Sequence, residues 1–417
     1  MTILHLITRL IAGGAQQNTV MSCAAQVAAG HTVYLAYGPI YGPEGSLLDE
    51  AKKSGATLIE VPSMRRSILP GHDWFCYRAL RKLIREIKPD VVHTHSSKAG
   101  ILGRAAAWKE KVPAVIHTIH GSPFHEKQWW PIRRAYIAAE RWAARRCHRL
   151  VGITQPMVDL FLAHGIGRPD QYSVIPSGVD VAFWESAGGS VTQEAASSMQ
   201  LRARVRAEMN IPQDAPVVGL VARIDPLKGH ADVLHIVNAL IERHPQLRLL
   251  FVGDGWHRGA IEEKARELSL ADRVVFTGLV PLRRVAELYR AMDVMVLPSY
   301  QEGQSRTLVE SLLSGCPVVA YNVGGIPQVC IDGVTGRLVP AGDLAALADA
   351  IRWNLDHPAE ARRLAEQGSE HVKRHFDRRS MTEALDQLYR QVLSEGATNT
   401  GAAECAKESP PCSRGTP

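Results

Sequence analysis

Short apolar runs rich in Val, Ile and Leu recur along this chain of 417 residues, each followed by a polar or glycine-containing turn and a helical pattern. Most runs are continuous rather than alternating, which is typical of strands covered on both faces. Seven runs lie in the first half, at 3–7, 32–36, 57–61, 91–94, 114–118, 150–153 and 173–175, and five in the second, at 217–221, 249–252, 274–276, 294–297 and 318–320. The pattern predicts an α/β fold of two doubly wound, Rossmann-like parallel-sheet domains that face a central cleft.

The boundary between the domains is predicted from a change in composition. Residues 186–198 are small, polar and glycine-rich and have no hydrophobic period, which suits a linker or an exposed insertion. We therefore expect an N-terminal domain at 1–182, a linker at 183–200, a C-terminal domain at 201–380, a further helix at 381–395, and a disordered tail at 396–417.

The composition narrows the class of protein. The hydrophobic content of 46% and the charged content of 22% are those of a soluble globular protein, and the net charge of +6 gives no reason to expect nucleic acid as a partner. We interpret the N-terminus as the first strand and not as a signal peptide. The seven cysteines are scattered and fit neither a disulfide framework nor a zinc site, so we expect a reducing, cytoplasmic location.

Positive charge is concentrated in two stretches of the N-terminal half. Residues 127–149 carry seven Lys and Arg against one acid, Glu140, with Trp129, Trp130 and Trp142 among them. Residues 74–88 predict a helix with four basic residues on one face and an apolar opposite face. The two stretches predict peripheral contact with an anionic membrane at the inner face of the cell membrane. The alternative is a solvated basic helix whose tryptophans belong to the core.

Two strand-end features in the first half could contact a ligand. Gly13 and Gly14 follow the first strand and open a helix, where backbone N–H groups can meet a phosphate, although paired glycines also occur in plain βα turns. Five histidines follow two later strands: His93, His95, His117, His120 and His125. We expect alternate strand residues to point to opposite faces, and no carboxylates accompany these histidines, so we predict no metal site. Hydrogen bonds to an acceptor hydroxyl or to a phosphate are the favoured role.

In the second half, cations and carboxylates follow two strands. Arg223 and Lys228 bracket a proline-containing turn after the strand at 217–221, and a guanidinium with an ammonium suits a diphosphate. Glu302 lies beside Gly303 in the loop after the strand at 294–297, and Glu310 lies on the following helix. These carboxylates can accept hydrogen bonds from sugar hydroxyls. The alternatives are solvated cations, and a capping box from Thr307 to Glu310 that would make Glu310 structural.

Several motifs occur together in one order and spacing. They are GGAQ (13–16), HTHSSKAGILGR (93–104), HTIHG (117–121), VIPSGVD (174–180), RIDPLKG (223–229), FVGDG (251–255), FTGLV (276–280), GCPVVA (315–320) and VGGIPQV (323–329). The Glu-x7-Glu element, from Glu302 to Glu310, precedes GCPVVA. From Thr2 to Leu393 the chain resembles the retaining GT-B glycosyltransferases, which include phosphatidylinositol mannosyltransferase and sucrose-phosphate synthase. The sequences HTHSSKAGILGR (93–104) and HGSPFH (120–125) resemble those of the branch that builds bacterial surface polysaccharides, often on lipid-diphosphate-linked sugars.

The resemblance implies a role for each candidate residue. Gly13 and Gly14 would approach the donor phosphate or the acceptor. Arg223 and Lys228 would hold the diphosphate of a UDP-sugar or GDP-sugar donor, Glu310 the ribose hydroxyls, and Glu302 the hydroxyls of the transferred hexose. Backbone near Gly303 and Gln304 would assist, and His120 would lie near the reacting centre. The resemblance also implies that the domain at 1–182 binds the acceptor, that the domain at 201–380 binds the nucleotide-sugar, and that the helix at 381–395 returns to the N-terminal domain.

The implied reaction is hexose transfer with retention of configuration, without a metal or a resident cofactor. The acceptor hydroxyl, from a sugar or a lipid-linked sugar, would attack from the side of the leaving diphosphate, so catalysis would consist of positioning and charge stabilisation. Two alternatives remain at this point: an enzyme similar to UDP-sugar 2-epimerases, and a non-catalytic sugar-nucleotide-binding partner of a polysaccharide assembly complex.

Overall fold

The computed structural model describes residues 1–41, 45–125, 128–187 and 195–405, with the side chains of 187, 195–197 and 397–405 left out of the description. Every strand pair in it is parallel, and the strands form two separate sheets. This confirms the predicted α/β class with two doubly wound domains.

The N-terminal sheet has seven strands in the order β3-β2-β1-β4-β5-β6-β7. They are β1 Thr2–Arg9, β2 Thr32–Gly38, β3 Thr57–Glu60, β4 Val91–His95, β5 Ala114–Ile119, β6 Arg149–Gly152 and β7 Tyr172–Val174. The helices of this domain are α1 Gly14–Ala28, α2 Leu48–Lys53, α3 Pro70–Ile87, α4 Ser97–Lys109, α5 Trp130–Ala144 and α6 Gln155–Ala163. The strand order reverses between β1 and β4, which opens a crevice at the carboxyl ends of these two strands.

The C-terminal sheet has six strands in the order β10-β9-β8-β11-β12-β13. They are β8 Val217–Val221, β9 Arg248–Val252, β10 Val274–Gly278, β11 Val294–Leu297, β12 Val318–Tyr321 and β13 Arg337–Val339. The accompanying helices are α7 Val181–Ala187, α8 Ala195–Glu208, α9 His230–Ile241, α10 Arg258–Glu267, α11 Leu282–Ala291, α12 Arg306–Leu313, α13 Ile326–Val329, α14 Leu344–Asp356 and α15 Pro358–His375. Its order reverses between β8 and β11.

Both sheets are buried on their two faces, which is why their strands lack polar alternation. In the C-terminal domain Val217 and Met295 belong to one core cluster, while Val218 and Val296, one position further along each strand, belong to the other. In the N-terminal domain Leu4 packs on the α3–α4 side of β1. The continuous apolar runs of the sequence therefore encode central strands.

The last helix, α16 Arg378–Cys405, covers the N-terminal sheet. Its Met381, Leu385 and Tyr389 join Ile3 and Val91 in one buried cluster. Two segments connect the domains, one around Val179 and one around residues 376–378, and they are joined by backbone hydrogen bonds. The Val179 N–H donates to Phe376 O at 2.8 Å, and the Arg378 N–H donates to Val179 O at 3.0 Å. The two connections between the domains thus run side by side.

The structure corrects two segment boundaries. Helices α7 and α8 occupy both ends of the predicted linker at 183–200, because the apolar residues Trp184 and Val205 pack into the C-terminal core. Helix α16 continues to Cys405, whereas the tail was expected to be disordered from 396. The rest of the predicted linker, residues 188–194, and the rest of the predicted tail, residues 406–417, lie outside the described residues.

Candidate active site

The candidate residues of the C-terminal domain lie at the point where its strand order reverses. Arg223 and Lys228 follow β8, and Glu302 follows β11, which is the neighbouring strand. Gly229 brings the two loops together, because its φ of +68° is left-handed and a Cβ there would lie 2.1 Å from Pro298 O. A glycine is therefore required for the β8 loop to reach the end of β11.

Lys228 and Glu302 form an ion pair, with Lys228 Nζ 2.6 Å from Glu302 Oε1. Both side chains are partly buried. The sequence prediction gave these residues different ligands, a diphosphate and a hexose, and the structure shows that they also bind each other. A ligand that carries both a diphosphate and a sugar can approach the two ends of this pair at the same time.

Arg223 is held by its own loop. Its Nη2 lies 2.7 Å from Asp225 Oδ2, and the other oxygen of Asp225 accepts a hydrogen bond from Leu227 N–H at 2.8 Å. Burial raises the pKa of Asp225, but the Leu227 N–H and the Arg223 guanidinium outweigh it, so the net pKa is lowered. About half of the Arg223 side chain remains exposed.

Helix α12 carries Glu310 into the protein interior. The helix is capped by Ser305, whose Oγ accepts a hydrogen bond from Leu308 N–H at 3.3 Å. The predicted capping box from Thr307 is therefore wrong, because Thr307 lies within the first turn and Glu310 caps nothing. Glu310 is buried, which raises its pKa to about 7 against the opposing effect of Arg306, whose Nε lies 3.7 Å away.

The loop between Glu302 and α12 joins the two domains. A Cβ on Gly303 would lie 2.9 Å from His120 O, so the loop packs directly against the end of β5. The Gln304 side chain accepts from Ser177 N–H at 2.7 Å and donates to Ser177 O at 2.8 Å. The prediction assigned only backbone near Gln304, and this contact between the domains had no signal in the sequence.

On the N-terminal side, Gly13 precedes α1 and Gly14 begins it. A Cβ on Gly14 would lie 3.1 Å from Arg306 Cδ, so the first turn of α1 lies against the first turn of α12. Arg306 Nη1 also donates to Gly178 O at 3.1 Å, and burial lowers the Arg306 pKa. Arg306 was not among the predicted site residues.

The cleft between the domains is lined from both sides. Its lining residues are Gly121, Ser122, Thr154, Pro156, Met157 and Leu160 from the N-terminal domain, and Arg223, Asp225, Leu227, Lys228, Tyr300, Gln301, Glu302, Gly303, Val323, Gly324 and Gly325 from the C-terminal domain. A second pocket meets it at Arg223 and is lined mainly by apolar side chains and glycines between Val221 and Val285, with Ala12.

The histidines form a buried cluster rather than pointing apart. His93 and His95 are two residues apart on β4 and therefore share one face, and His5 on β1 is the register partner of His93. The expectation that they face opposite ways was wrong for this pair, because only adjacent strand residues alternate. Ring nitrogens of His5, His93 and His95 lie within 4.8 Å of one another. They bond to neighbouring groups, with His5 Nδ1 only 2.9 Å from His95 Nε2, a hydrogen-bond separation.

Of the other histidines, His117 bonds to Thr94, with its Nδ1 2.9 Å from Thr94 Oγ1. His120 is partly exposed beside the cleft, and burial, followed by the charge of Arg306, lowers its pKa to about 3. The structure thus brings His120, Gly303, Glu302 and Lys228 to one cleft, while His117 and the His5 cluster lie behind it in the core.

An exposed apolar rim lies at the carboxyl edge of the sheet in the N-terminal domain. Trp129 and Trp130 at the start of α5 are 68% and 63% exposed, and Trp74 and Phe75 near the start of α3 are exposed as well. The alternative in which these tryptophans are core residues is therefore wrong. We call these four residues the aromatic rim. Both helices begin at the carboxyl edge of the sheet, the edge that faces the cleft.

The predicted basic surface is smaller than the sequence suggested. Arg81 Nε lies 2.5 Å from Glu110 Oε1, and Arg85 also pairs with Glu110. Arg149 forms a double contact with Glu395 of α16, at 2.7 and 2.8 Å. In the part of the chain that the structure covers, no helix has the length and apolar character needed to cross a bilayer.

The fold and the cleft together define a glycosyltransferase of GT-B architecture. Residues 202–371 match the model of glycosyl transferases group 1, and residues 12–183 match that of glycosyltransferase family 4. The chain therefore belongs to the glycosyltransferases that these two models describe.

Among its relatives is a D-inositol 3-phosphate glycosyltransferase of Corynebacterium efficiens, 30% identical over 319 residues, which are 74% of this chain and 72% of the relative. An Escherichia coli UDP-Gal:alpha-D-GlcNAc-diphosphoundecaprenol alpha-1,3-galactosyltransferase is 27% identical over 74% of this chain and 76% of its own length. The structure of Anabaena Alr3699/HepE in complex with UDP and glucose has the same fold, with a TM-score of 0.79, 19% identity and coverage of 94% of this chain and 100% of the other. Sucrose-phosphate synthase from Thermosynechococcus elongatus gives a TM-score of 0.76 at 23% identity, covering 95% and 100%.

Proposed function

We propose that this protein transfers a hexose from a UDP-sugar to the hydroxyl of a lipid-linked sugar in bacterial surface polysaccharide or glycolipid synthesis, with retention of anomeric configuration and without a metal ion. The observation that carries this proposal is the Lys228–Glu302 pair at the strand reversal of the C-terminal sheet, next to the point where Gly303 packs against the end of β5. A cation and a carboxylate held 2.6 Å apart can address a diphosphate and the adjoining sugar of one donor.

The donor would lie along the C-terminal side of the cleft. The pocket around Val252, Gly253 and Val280 would take the uracil base, Glu310 the ribose, and Arg223 with Lys228 the diphosphate. Alr3699/HepE, which has the same fold, was crystallised with UDP, and the Escherichia coli relative is named for UDP-Gal. These two names support UDP over GDP as the donor nucleotide.

Retention is implied by the family resemblance, and the distribution of carboxylates bears on how it would be achieved. A double displacement needs a carboxylate nucleophile on the face of the sugar opposite the leaving group. Among the described lining residues the carboxylates are Asp225 and Glu302, and both lie on the donor side and are paired with cations. The N-terminal side contributes no carboxylate to the described lining.

With retention and without such a nucleophile, the chemistry would be a single front-face displacement. The acceptor oxygen forms a bond to C1 of the hexose while the bond from C1 to the diphosphate oxygen breaks. The proton of the acceptor hydroxyl passes to the departing diphosphate, and the Arg223 and Lys228 cations stabilise the charge that develops there. These two side chains would supply the charge neutralisation that a metal ion supplies in other transferases.

The acceptor class follows from the rim and from one relative. The aromatic rim and the exposed Arg134 near the start of α5 would place the N-terminal domain on an anionic membrane, where a lipid-linked acceptor resides. The Escherichia coli relative acts on a diphosphoundecaprenol-linked sugar by its name. Both observations favour a membrane-borne acceptor over a free sugar.

The test is transfer from a panel of UDP-sugars and GDP-sugars to a short-chain diphosphoprenyl-linked sugar, with EDTA present. We expect one UDP-hexose to be consumed and NMR of the product to show the anomeric configuration of the donor. An inverted product, or a strict need for added divalent metal, would contradict the mechanism. Release of a 2-epimer from donor alone would favour an epimerase, and nucleotide binding without any turnover would favour a non-catalytic partner.

A further inference from the structure

A continuous chain of hydrogen bonds runs through the N-terminal core and ends at His120. It starts at Gln26 on α1, whose Oε1 lies 2.7 Å from His5 Nε2. His5 Nδ1 lies 2.9 Å from His95 Nε2, and His95 Nδ1 lies 3.0 Å from His120 Nε2. The side chains of Gln26, His5 and His95 are buried, so bulk water does not compete for these bonds.

The three histidines of this hydrogen-bonded chain, His5, His95 and His120, are neutral at physiological pH. Burial lowers the pKa of His5 to about 4 despite its bond to Gln26, and burial lowers the pKa of His95 well below its usual value. A neutral imidazole donates from one ring nitrogen and accepts at the other. Each ring in the chain therefore passes the direction of hydrogen bonding on to the next one.

The direction is set by the amide of Gln26. Its Oε1 can only accept, so His5 carries its proton on Nε2 and accepts at Nδ1. His95 must then donate from Nε2 and accept at Nδ1, and His120 must donate from Nε2. If the amide were reversed, each ring would take the opposite tautomer, and His120 would carry its proton on Nδ1.

A second branch meets the amide at its nitrogen. Gln26 Nε2 donates to the Tyr389 hydroxyl at 3.3 Å, and that hydroxyl lies 2.5 Å from His93 Nδ1, to which it can donate. His93 Nε2 lies 2.7 Å from Thr118 Oγ1, which can accept. Tyr389 belongs to α16, so the helix that returns from the C-terminal domain also holds the amide.

We propose that Gln26, His5 and His95 are positioning residues that hold His120 in the tautomer with its proton on Nε2 and a lone pair on Nδ1. Among the hydrogen bonds of the described residues, His120 Nδ1 takes part in none. The inference rests on the proposed function for its ligand. A lone pair at Nδ1 accepts a hydrogen bond from a sugar hydroxyl in the cleft and repels a phosphate oxygen, which has no proton to donate. His120 thus selects a hydroxyl. Of the two partners that the sequence left open for the strand-end histidines, an acceptor hydroxyl or a phosphate, this tautomer favours the hydroxyl.

The tautomer can be read directly by long-range ¹H–¹⁵N NMR of the full chain labelled with ¹⁵N-histidine. The His120 signals are assigned by their loss in His120→Gln. We expect the wild-type protein to show a protonated Nε2 and an unprotonated Nδ1 at pH 7. A wild-type His120 with its proton on Nδ1, or with both nitrogens protonated, would overturn the proposal whatever the variants do.

Three variants test how the tautomer is held. Gln26→Met removes both amide bonds and should give a mixture of His120 tautomers, with about a tenfold lower kcat/KM and unchanged affinity for free UDP. Gln26→Glu keeps an acceptor toward His5 and should show the wild-type His120 tautomer while His5 stays neutral, which the same ¹⁵N spectra report. Gln171→Met is the control, because Gln171 is a buried glutamine of the same domain that donates to Ala144 O and Cys147 O, away from the chain.

The outcomes separate the two proposals. If Gln26→Met and Gln171→Met both leave the His120 signals unchanged, Gln26 does not set the tautomer and the inference is wrong. If the spectra change as expected but the wild-type protein transfers no sugar from any UDP-sugar, the positioning is supported and the proposed function fails.

Discussion

At the scale of single residues, the Lys228 ammonium makes the first measurable prediction. Lys228→Ala should lower kcat/KM by about 10²-fold or more, because an oriented cation on the leaving diphosphate contributes a few kcal/mol to the transition state. Steady-state transfer assays measure this effect. Lys264→Ala is a suitable control, since Lys264 pairs with Glu267 on the exposed face of α10 and should leave turnover unchanged. Near-normal turnover in Lys228→Ala would remove this residue from the site.

The two glutamates should separate in binding and transfer. Glu310→Gln is expected to weaken the binding of free UDP in calorimetry, since the carboxylate would accept hydrogen bonds from the ribose hydroxyls. Glu302→Gln is expected to spare nucleotide affinity and to reduce transfer, since its carboxylate would contact the hexose. The reverse pattern would exchange the two assignments. A change in melting temperature alone for Glu310→Gln would make that residue purely structural.

The buried carboxyl of Glu310 also predicts a pH dependence of stability. Its pKa is raised by burial from 4.5 to about 7, so the folded state prefers the protonated form. The resulting stabilisation is complete below pH 4.5 and is lost as the pH rises through 7, with a total on the order of 3 kcal/mol. Denaturant unfolding of wild type and Glu310→Gln at pH 5 and pH 8 should show the variant gaining relative stability at the higher pH. Equal differences at the two pH values would contradict it.

At the scale of elements, the start of helix α12 distinguishes two caps. Ser305→Ala should destabilise the protein by about 1 kcal/mol, because Leu308 N–H loses its side-chain acceptor. Thr307→Ala should have a much smaller effect on the free energy of unfolding, since Thr307 lies inside the helix. Chemical denaturation of the two variants measures the difference. A larger loss in Thr307→Ala than in Ser305→Ala would favour the capping box that the structure excludes.

The central strands could be predicted because they are buried on both faces, and a continuous apolar run records that burial directly. Strand β13 was missed, since it has three residues, begins with Arg337 and lies at the sheet edge, where burial leaves little signal. Among site residues, Glu302 and Lys228 could be placed at strand ends. Their mutual contact joins residues 74 positions apart, and no local pattern encodes it.

The histidine chain shows a different limit. His93 and His95 stand out in the sequence, but the links that give them direction are Gln26 on a helix, His5 on another strand and Tyr389 on the last helix. Such a network depends on register and packing, which a single sequence does not contain. The two-residue period of a strand, correctly applied, predicts that His93 and His95 share one face. It does not predict their hydrogen-bond partners.

At the scale of the whole molecule, the aromatic rim predicts binding to anionic vesicles. Co-sedimentation with liposomes should require phosphatidylglycerol or cardiolipin, weaken as salt rises, and drop when Trp129 and Trp130 become Ser. Trp108→Ser is the matched control, because Trp108 is also exposed but lies near the end of α4, at the opposite edge of the sheet. Equal binding to neutral and anionic vesicles would exclude the membrane contact and would favour a soluble acceptor.

The return of α16 to the N-terminal sheet has a consequence for synthesis on the ribosome. The N-terminal sheet is translated first, yet Tyr389 and its neighbours, which cover one face of that sheet, are among the last described residues to be made. About 200 residues separate the end of the domain from its cover, a delay of roughly 10–40 s at ordinary elongation rates. During that interval the nascent domain exposes Ile3, Val91 and the imidazoles of the core. Its folding is therefore completed only after translation of the second domain, and molecular chaperones have that whole interval in which to bind it.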